Sequence, residues 1–405
     1  MNSREQSLKR ASKLKEHTVA FNQFKIDENE KITNRIQKYH QTKEKILDYF
    51  NATNEDWNNW IWQMQHRFES AKEMAKFLNL SKEQIQEIDT IANQYRFAIV
   101  PYYFALIYEI DDPIYKLSVP CQFELEDEKG LLDPMDEEHT NPAGSITRRY
   151  PDRLIINVTN QCAMYCRHCQ RRRLIDESDH PTSIDLIEES IEYVRNNPEI
   201  RDVLLTGGDA LLLSDNSLEH ILKSLRQIPH VEIIRIGSRT PVTLPMRITN
   251  ELVEMIQKYH PVFLNTHFNH FYELSLESKT ACKKLVDHGI VVGNQAVLLK
   301  GINDTPFKMT LLNQMLLRSR VRPYYIFHAK NVRGTRHFIP KLEDGLKIME
   351  FMRGNTSGLA IPTYIMNAPL GYGKVPLLPK YIIKKDNNTY TIRTWENREF
   401  QYTEK

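Results

Sequence analysis

Long apolar runs are missing from this chain. No window approaches about 18 uninterrupted apolar residues, which excludes a helical membrane span. The opening residues, MNSREQSLKRASKLKEH, hold no apolar signal core and no cleavage-site pattern, so a cytoplasmic location is expected. An excess of either charge is missing too. Lys and Arg number 54 against 52 Asp and Glu, a net +2, which gives no broad basic field to hold nucleic acid or an anionic membrane. Neither GxGxxG nor GxxxxGK(S/T) occurs, so the usual dinucleotide and nucleoside-triphosphate loops are absent. Cysteine is scarce: there are 5 in 405 residues. An odd count in a large chain argues against a disulfide framework. What remains is ordinary for a folded protein, with 41% hydrophobic and 26% charged residues and a core that needs no staples.

The chain divides by pattern. Residues 1–115 read as a helical region, with segments such as NEKITNRIQKYHQTKEKILDYF carrying apolar residues at helical spacing. Trp57, Trp60 and Trp62 cluster there and read as packing residues. Residues 116–148 are a connecting segment. Its acidic stretch ELEDEKGLLDPMDEEHTNPAG lacks periodicity and reads as a loop with a solvated charge run. From residue 149 to 370, short β-rich runs alternate with amphipathic helices. The strands are expected at 153–158, 202–206, 231–236, 262–267, 294–299 and 322–328, with a further short one at 362–367. Six strand–helix repeats imply parallel strands, hence an α/β barrel or an open doubly wound sheet. Residues 371–405 read as a glycine-containing loop followed by a β hairpin around Asn387 and Asn388.

Three of the five cysteines fall in NQCAMYCRHCQRRR, spaced C-x3-C-x2-C at Cys162, Cys166 and Cys169, directly after the first strand. Loops after the C-terminal ends of parallel strands are where active sites are built. Thiolates this close wrap one metal centre. Three of them leave a four-iron cluster with one iron lacking a protein ligand. A structural zinc wants four closed ligands, and only His168 stands nearby. Cys121 and Cys282 read as buried thiols.

This motif resembles the signature of the radical S-adenosylmethionine (SAM) superfamily. Residues 145–380 more specifically resemble the lysine 2,3-aminomutase family, through YPDRLIINVTNQCAMYCRHCQRRR, RDVLLTGGDALLLSD, HVEIIRIGSRTPVTLP, YHPVFLNTHFNH, GNQAVLLKGIND, RVRPYYIF and MRGNTSGLAIPTY. The resemblance implies a partial (β/α)6 barrel behind N-terminal helices. It also implies a [4Fe-4S] cluster on Cys162, Cys166 and Cys169, SAM on the open iron, and an electron donor such as a flavodoxin or ferredoxin. Gly207, Gly208 and Asp209 match the superfamily's SAM contact, and His267 and Gln295 fall in family blocks as further SAM-site candidates. Lys374 in APLGYGKVPLLP matches the lysine that carries pyridoxal 5′-phosphate (PLP), although Leu370 and Tyr372 depart from the family's richer glycine. Arg149, Tyr150 and Arg153 match its PLP-contacting segment. Guanidinium forks suit a phosphate. The implied reaction is a 2,3-amino shift, which has no easy polar route and needs both cofactors.

Arg171 matches the family arginine that pairs with the substrate α-carboxylate. In the lysine enzymes, two aspartates hold the distal ammonium. The matching positions here are Lys330 and Asn367. A lysine and an amide repel or ignore an ammonium but suit a carboxylate. The pattern therefore resembles the branch of the family that interconverts L-glutamate and β-glutamate. The alternatives are the same chemistry on lysine, a radical SAM enzyme modifying a macromolecule, or a metal-binding module without catalysis. The extra cysteines by which lysine enzymes bind zinc have no match: Thr305 stands at one such position and no cysteine follows Cys282. No zinc is expected, and a homo-oligomer is.

Overall fold

The computed structural model describes residues 2–175 and 178–404. Its centre is a nine-stranded sheet in sequential order: β1 (Ile146–Thr147), β2 (Arg153–Thr159), β3 (Asp202–Gly207), β4 (Ile233–Gly237), β5 (Val262–Thr266), β6 (Val291–Leu298), β7 (Arg322–His328), β8 (Thr363–Asn367) and β9 (Lys374–Pro376). Neighbours from β2 to β8 are parallel. The flanking β1 and β9 are antiparallel to β2 and β8. Six parallel connections, each carrying helix, curl such a sheet around its own concave face. The expected (β/α)6 barrel with a seventh strand is thus present, left open with a short edge strand on each side.

Period-two alternation decides which residues meet the helices and which meet the concavity. On β4, Ile234 and Ile236 are buried under helices while Arg235 and Gly237 line the central cavity. On β2 the inner position is Ile155, and on β3 it is Leu204 and Thr206. The outer layer behaves as its 3.6-residue spacing demands. Helix Ile184–Asn196 buries Ile187, Ile191 and Val194, and helix Asp215–Arg226 buries Leu218, Ile221, Leu222 and Leu225. Ile184, which the spacing puts on the same face, is exposed because the helix only begins there.

One apolar core runs from Phe21 through the strands to Tyr364. The N-terminal helices therefore share the barrel's core. The 32-residue helix Val19–Phe50 spans this region, and Trp57 is buried against Tyr39 and Trp62. Trp60 lies under the Arg247 guanidinium at 4.8 Å. Among the described residues no helix is long and apolar enough to cross a membrane. At the C-terminus β10 (Ile382–Asp386) and β11 (Thr389–Arg393) form the expected hairpin, with Asn387 at φ 50° in its turn. A third strand, β12 (Glu399–Thr403), pairs with β11. It was not foreseen, because five exposed residues carry little pattern.

Candidate active site

The cavity on the concave face holds about 270 Å³. Every site residue named from the sequence lines it except Arg153. Arg153 stacks over the Tyr150 ring at 3.9 Å and pairs with Asp152 at 2.8 Å. The cation facing the cavity from the sheet is instead Arg235, held by Asp202 at 2.7 Å.

The cysteine loop follows β2 and is clamped by the N-terminal region. Val100 N donates to Ala163 O and Tyr165 N to Ala98 O, each at 3.2 Å. Arg67 donates to Cys162 O at 3.0 Å. Arg167, itself buried, forks onto Glu124 at 2.9 and 2.5 Å and donates to the carbonyls of Arg96 and Tyr95. Arg172 also reaches Glu124, and it donates to Gly334 O at 2.8 Å. Burial pushes the Glu124 carboxyl up, but the two guanidinium groups more than offset this and leave it below its ordinary range.

Burial pushes the Cys162 thiol well up and the Cys169 thiol to about 11, with neighbouring thiols adding to both. Such thiols stay protonated unless a metal cation deprotonates them. Among the described residues no three His, Cys, Asp or Glu side chains converge on a single ion. Cys162, Cys166 and Cys169 all line the cavity, and three thiols that do not converge on one point would suit a four-iron cluster better than a single ion.

The glycines of Gly207-Gly208-Asp209 allow β3 to run against the start of the cysteine loop. A Cβ on Gly208 would sit 2.3 Å from Gln161 O, and Gly207 takes φ 125°. Gly208 N and Asp209 N then donate to Thr159 O at 2.6 Å and Gln161 O at 2.7 Å. The Asp209 carboxylate is buried and accepts from Ser238 Oγ at 2.5 Å, Arg239 N at 2.8 Å and Leu211 N at 3.2 Å. It thereby ties the β3 and β4 loops together.

Arg239 was missed by the sequence reading. Its guanidinium donates to Cys166 Sγ at 2.6 Å, Glu273 at 2.5 Å, Tyr103 Oη at 3.2 Å and His267 O at 3.1 Å. The only available signal was a polar Ser-Arg-Thr at a strand end. Burial, Arg239 and Lys330 hold the His267 imidazole down at about 4, so it is neutral at pH 7. Gln295 on β6 sits where the β6–β7 register shifts.

The rest of the lining is cationic. Asn367 on β8 and Lys374 on β9 are register partners, so their side chains leave the sheet side by side. The sequence placed Lys374 in a loop; it opens an edge strand. Gly373, at φ 99°, lies where a Cβ would meet the Tyr150 ring at 3.3 Å. By area Lys374 is an exposed residue, yet its Nζ stands over Tyr150 and Tyr325 at 5.4 and 5.7 Å. Burial of the ammonium end, with Arg235, Arg153 and Arg149 nearby, holds its pKa down to about 8. Arg171 forks onto Glu137 at 3.1 and 2.9 Å, and Arg149 and Arg173 approach the same carboxylate at 3.8 and 3.4 Å. The acidic connecting stretch is therefore no solvated run: Glu124, Asp133 and Glu137 each meet an arginine of the loop that follows the cysteines. Among the described residues, two buried donors of this lining have no partner, Arg149 Nη1 and Asn367 Nδ2. An unpaired buried donor is costly, and both fit an anionic ligand.

Residues 156–312 match the radical SAM superfamily model, and residues 349–405 match the lysine-2,3-aminomutase model. Glutamate 2,3-aminomutase of Clostridioides difficile (strain 630) is 54% identical over 394 residues, covering 97% of this chain and 93% of that one. The chain belongs to the lysine 2,3-aminomutase family of radical SAM enzymes. Other members of the family are similar at lower identity. L-lysine 2,3-aminomutase of Fusobacterium nucleatum subsp. nucleatum is 47% identical, covering 87% of this chain and 84% of that one. The Clostridium subterminale L-lysine 2,3-aminomutase is also 47% identical, covering 86% and 85%. A radical SAM methyltransferase from Sphaerobacter thermophilus overlaps in part, with a TM-score of 0.41 and 14% identity, covering 56% of this chain and 72% of that one. As a radical SAM aminomutase the chain is an isomerase. Its family implies a [4Fe-4S] cluster, for which Cys162, Cys166 and Cys169 are the candidate ligands, and SAM.

Proposed function

We propose that this aminomutase is PLP-dependent and interconverts L-glutamate and β-glutamate. The observation that carries the proposal is the cationic part of the cavity lining. There Lys330 and the amide of Asn367, unpartnered among the described residues, face the same space as Lys374 and the three cysteines. When bound, PLP supplies covalent capture of the substrate amine, and SAM on the cluster supplies a hydrogen-abstracting 5′-deoxyadenosyl radical. The chain's own contribution is positioning. Lys374, held near 8, offers an amine that is partly neutral at pH 7 and able to hold PLP. The free Nη1 of Arg149 suits a phosphate oxygen. Arg171 suits the α-carboxylate, which would share or displace Glu137. Lys330 and Asn367 suit the side-chain carboxylate. Ile155, Leu204, Val297 and Phe327 line the space between and exclude water. A small redox protein such as a flavodoxin or ferredoxin is the proposed electron source, and a homo-oligomer the proposed assembly.

Lysine is the second reading, supported by the names of the relatives at 47% identity. It would bring an ammonium against Lys330, and like charges in a poorly hydrated pocket repel. Anaerobic reconstitution with iron, sulfide, PLP and SAM, then incubation with each amino acid and product analysis, decides between them. Turnover of glutamate but not lysine is expected; the reverse overturns the reading. Lys374→Ala should remove the lysine-bound PLP absorption band, and a band that persists would remove PLP from the scheme.

A further inference from the structure

Lys330 reaches into the cavity from beyond β7 and has no carboxylate of its own. Among the described residues it makes no ion pair; its ammonium donates to Gln170 Oε1 and lies 5.4 Å from the Phe327 ring centre. An ammonium only donates, so it must meet the amide oxygen of Gln170. The Gln170 NH2 group is thereby turned away from the cation.

The backbone of Gln170 is not free to follow a moving lysine. Gln170 is the single residue between two tight turns, one closed by Cys169 N to Cys166 O at 3.0 Å and the next by Leu174 N to Arg171 O at 2.8 Å. Arg171 is itself forked onto Glu137. One three-residue stretch therefore carries a cysteine of the metal loop, the partner of the distal cation, and the proximal cation.

We propose that Gln170 is a positioning residue for substrate specificity: it holds the Lys330 ammonium beside the Asn367 amide, so that the distal end of the cavity accepts a side-chain carboxylate. This rests on the glutamate reading and deepens it. A flexible lysine left unheld could fold back toward the sheet or swing to the mouth, as long cationic side chains do. A neutral acceptor restrains it without neutralising it, and a carboxylate at the same place would do both. The choice of an amide at position 170 keeps the positive charge available to the ligand.

The test uses the full-length enzyme, anaerobically reconstituted, as wild type, Gln170→Glu and Gln170→Met. The readouts are kcat and KM for glutamate, calorimetric binding of glutarate, iron content, and the electron paramagnetic resonance signal of the reduced cluster with SAM. Glutarate carries both carboxylates and no amine, so it probes the anchors without the chemistry. Gln170→Glu should raise the glutamate KM and the glutarate Kd at least tenfold, with the loss on KM rather than kcat, while iron content and the resonance signal match wild type. Gln170→Met should show a smaller loss of the same kind. Wild-type KM and Kd in both variants, with wild-type turnover of glutamate intact, would overturn this proposal and leave the glutamate reading standing. Loss of iron and signal from both variants would overturn it too, since the residue would then be a support of the cysteine loop. A wild type inactive on glutamate would overturn the reading first.

Discussion

The two walls of the cavity are built on opposite rules. On the cysteine side, most charged groups are closed off by the chain itself, Arg67 Nε being an exception. Arg167 and Arg172 share Glu124, Arg239 is spent on Cys166, Glu273 and His267, and Asp209 accepts from three donors. On the lysine side, the groups are left incomplete. Among the described residues Arg149 Nη1 and Asn367 Nδ2 have no partner, and burial holds both Lys330 and Lys374 below their ordinary values. A closed network is rigid and suits a centre that must not move. Unmet donors and lysines of lowered pKa suit ligands that bring the missing negative charge.

If the cysteine side is the rigid socket of the metal centre, Cys166→Ala should abolish SAM cleavage to 5′-deoxyadenosine altogether while leaving the folded content unchanged by circular dichroism. Residual cleavage above one percent would break the assignment. On the open side, Lys330→Asp with Asn367→Asp should lower kcat/KM for glutamate by a hundredfold or more and bring measurable lysine turnover, read by product analysis. No gain with lysine would mean that pocket charge is not the discriminator.

Closure on the cysteine side should also register as stability. Glu124→Gln strands two buried guanidinium groups, and breaking such a network costs about 3–5 kcal/mol, visible in chemical denaturation. The carboxyl of Glu124 is depressed in the folded state, so its contribution is present above the unfolded pKa of about 4.3 and is lost as pH falls through the folded value. The wild type should therefore lose more stability below about pH 4 than Glu124→Gln does. Parallel acid curves would break the comparison.

The smallest effect belongs to Lys330. Burial, then Arg171 and Arg149, with Lys374 beyond, lower it to about 7, and only Glu137 pulls it up. A carboxylate ligand needs it protonated, so the glutamate KM should rise as pH climbs above 7, by up to about tenfold per unit, since one proton is lost. The lysine of Lys330→Met cannot titrate because it is gone, and that variant should show a flat profile in this range.

Much of this was legible in advance. The seven parallel strands were marked by β-rich runs, and most edges fell within two residues of expectation. The exception is β6, which begins at Val291, before the NQAV run that signalled it. The cysteine spacing, the glycine pair and Lys374 were visible as motifs, and the structure brings all of them to one cavity. Glu124, Glu137 and Arg239 were not visible. Glu137 meets Arg171, Glu124 meets Arg167 and Arg239 meets Cys166 across 34, 43 and 73 residues of sequence, and neither helical nor strand periodicity carries information over that distance.

Local chemistry was thus set by the sequence alone: which side chains could hold iron, which lysine could hold a cofactor, and where strands alternate with helices. The tertiary structure decided which charges cancel and which stay open. That choice depends on carboxylates from the connecting segment reaching some arginines and not others. Coulombic pairing depends on distance in space, which only the folded chain defines.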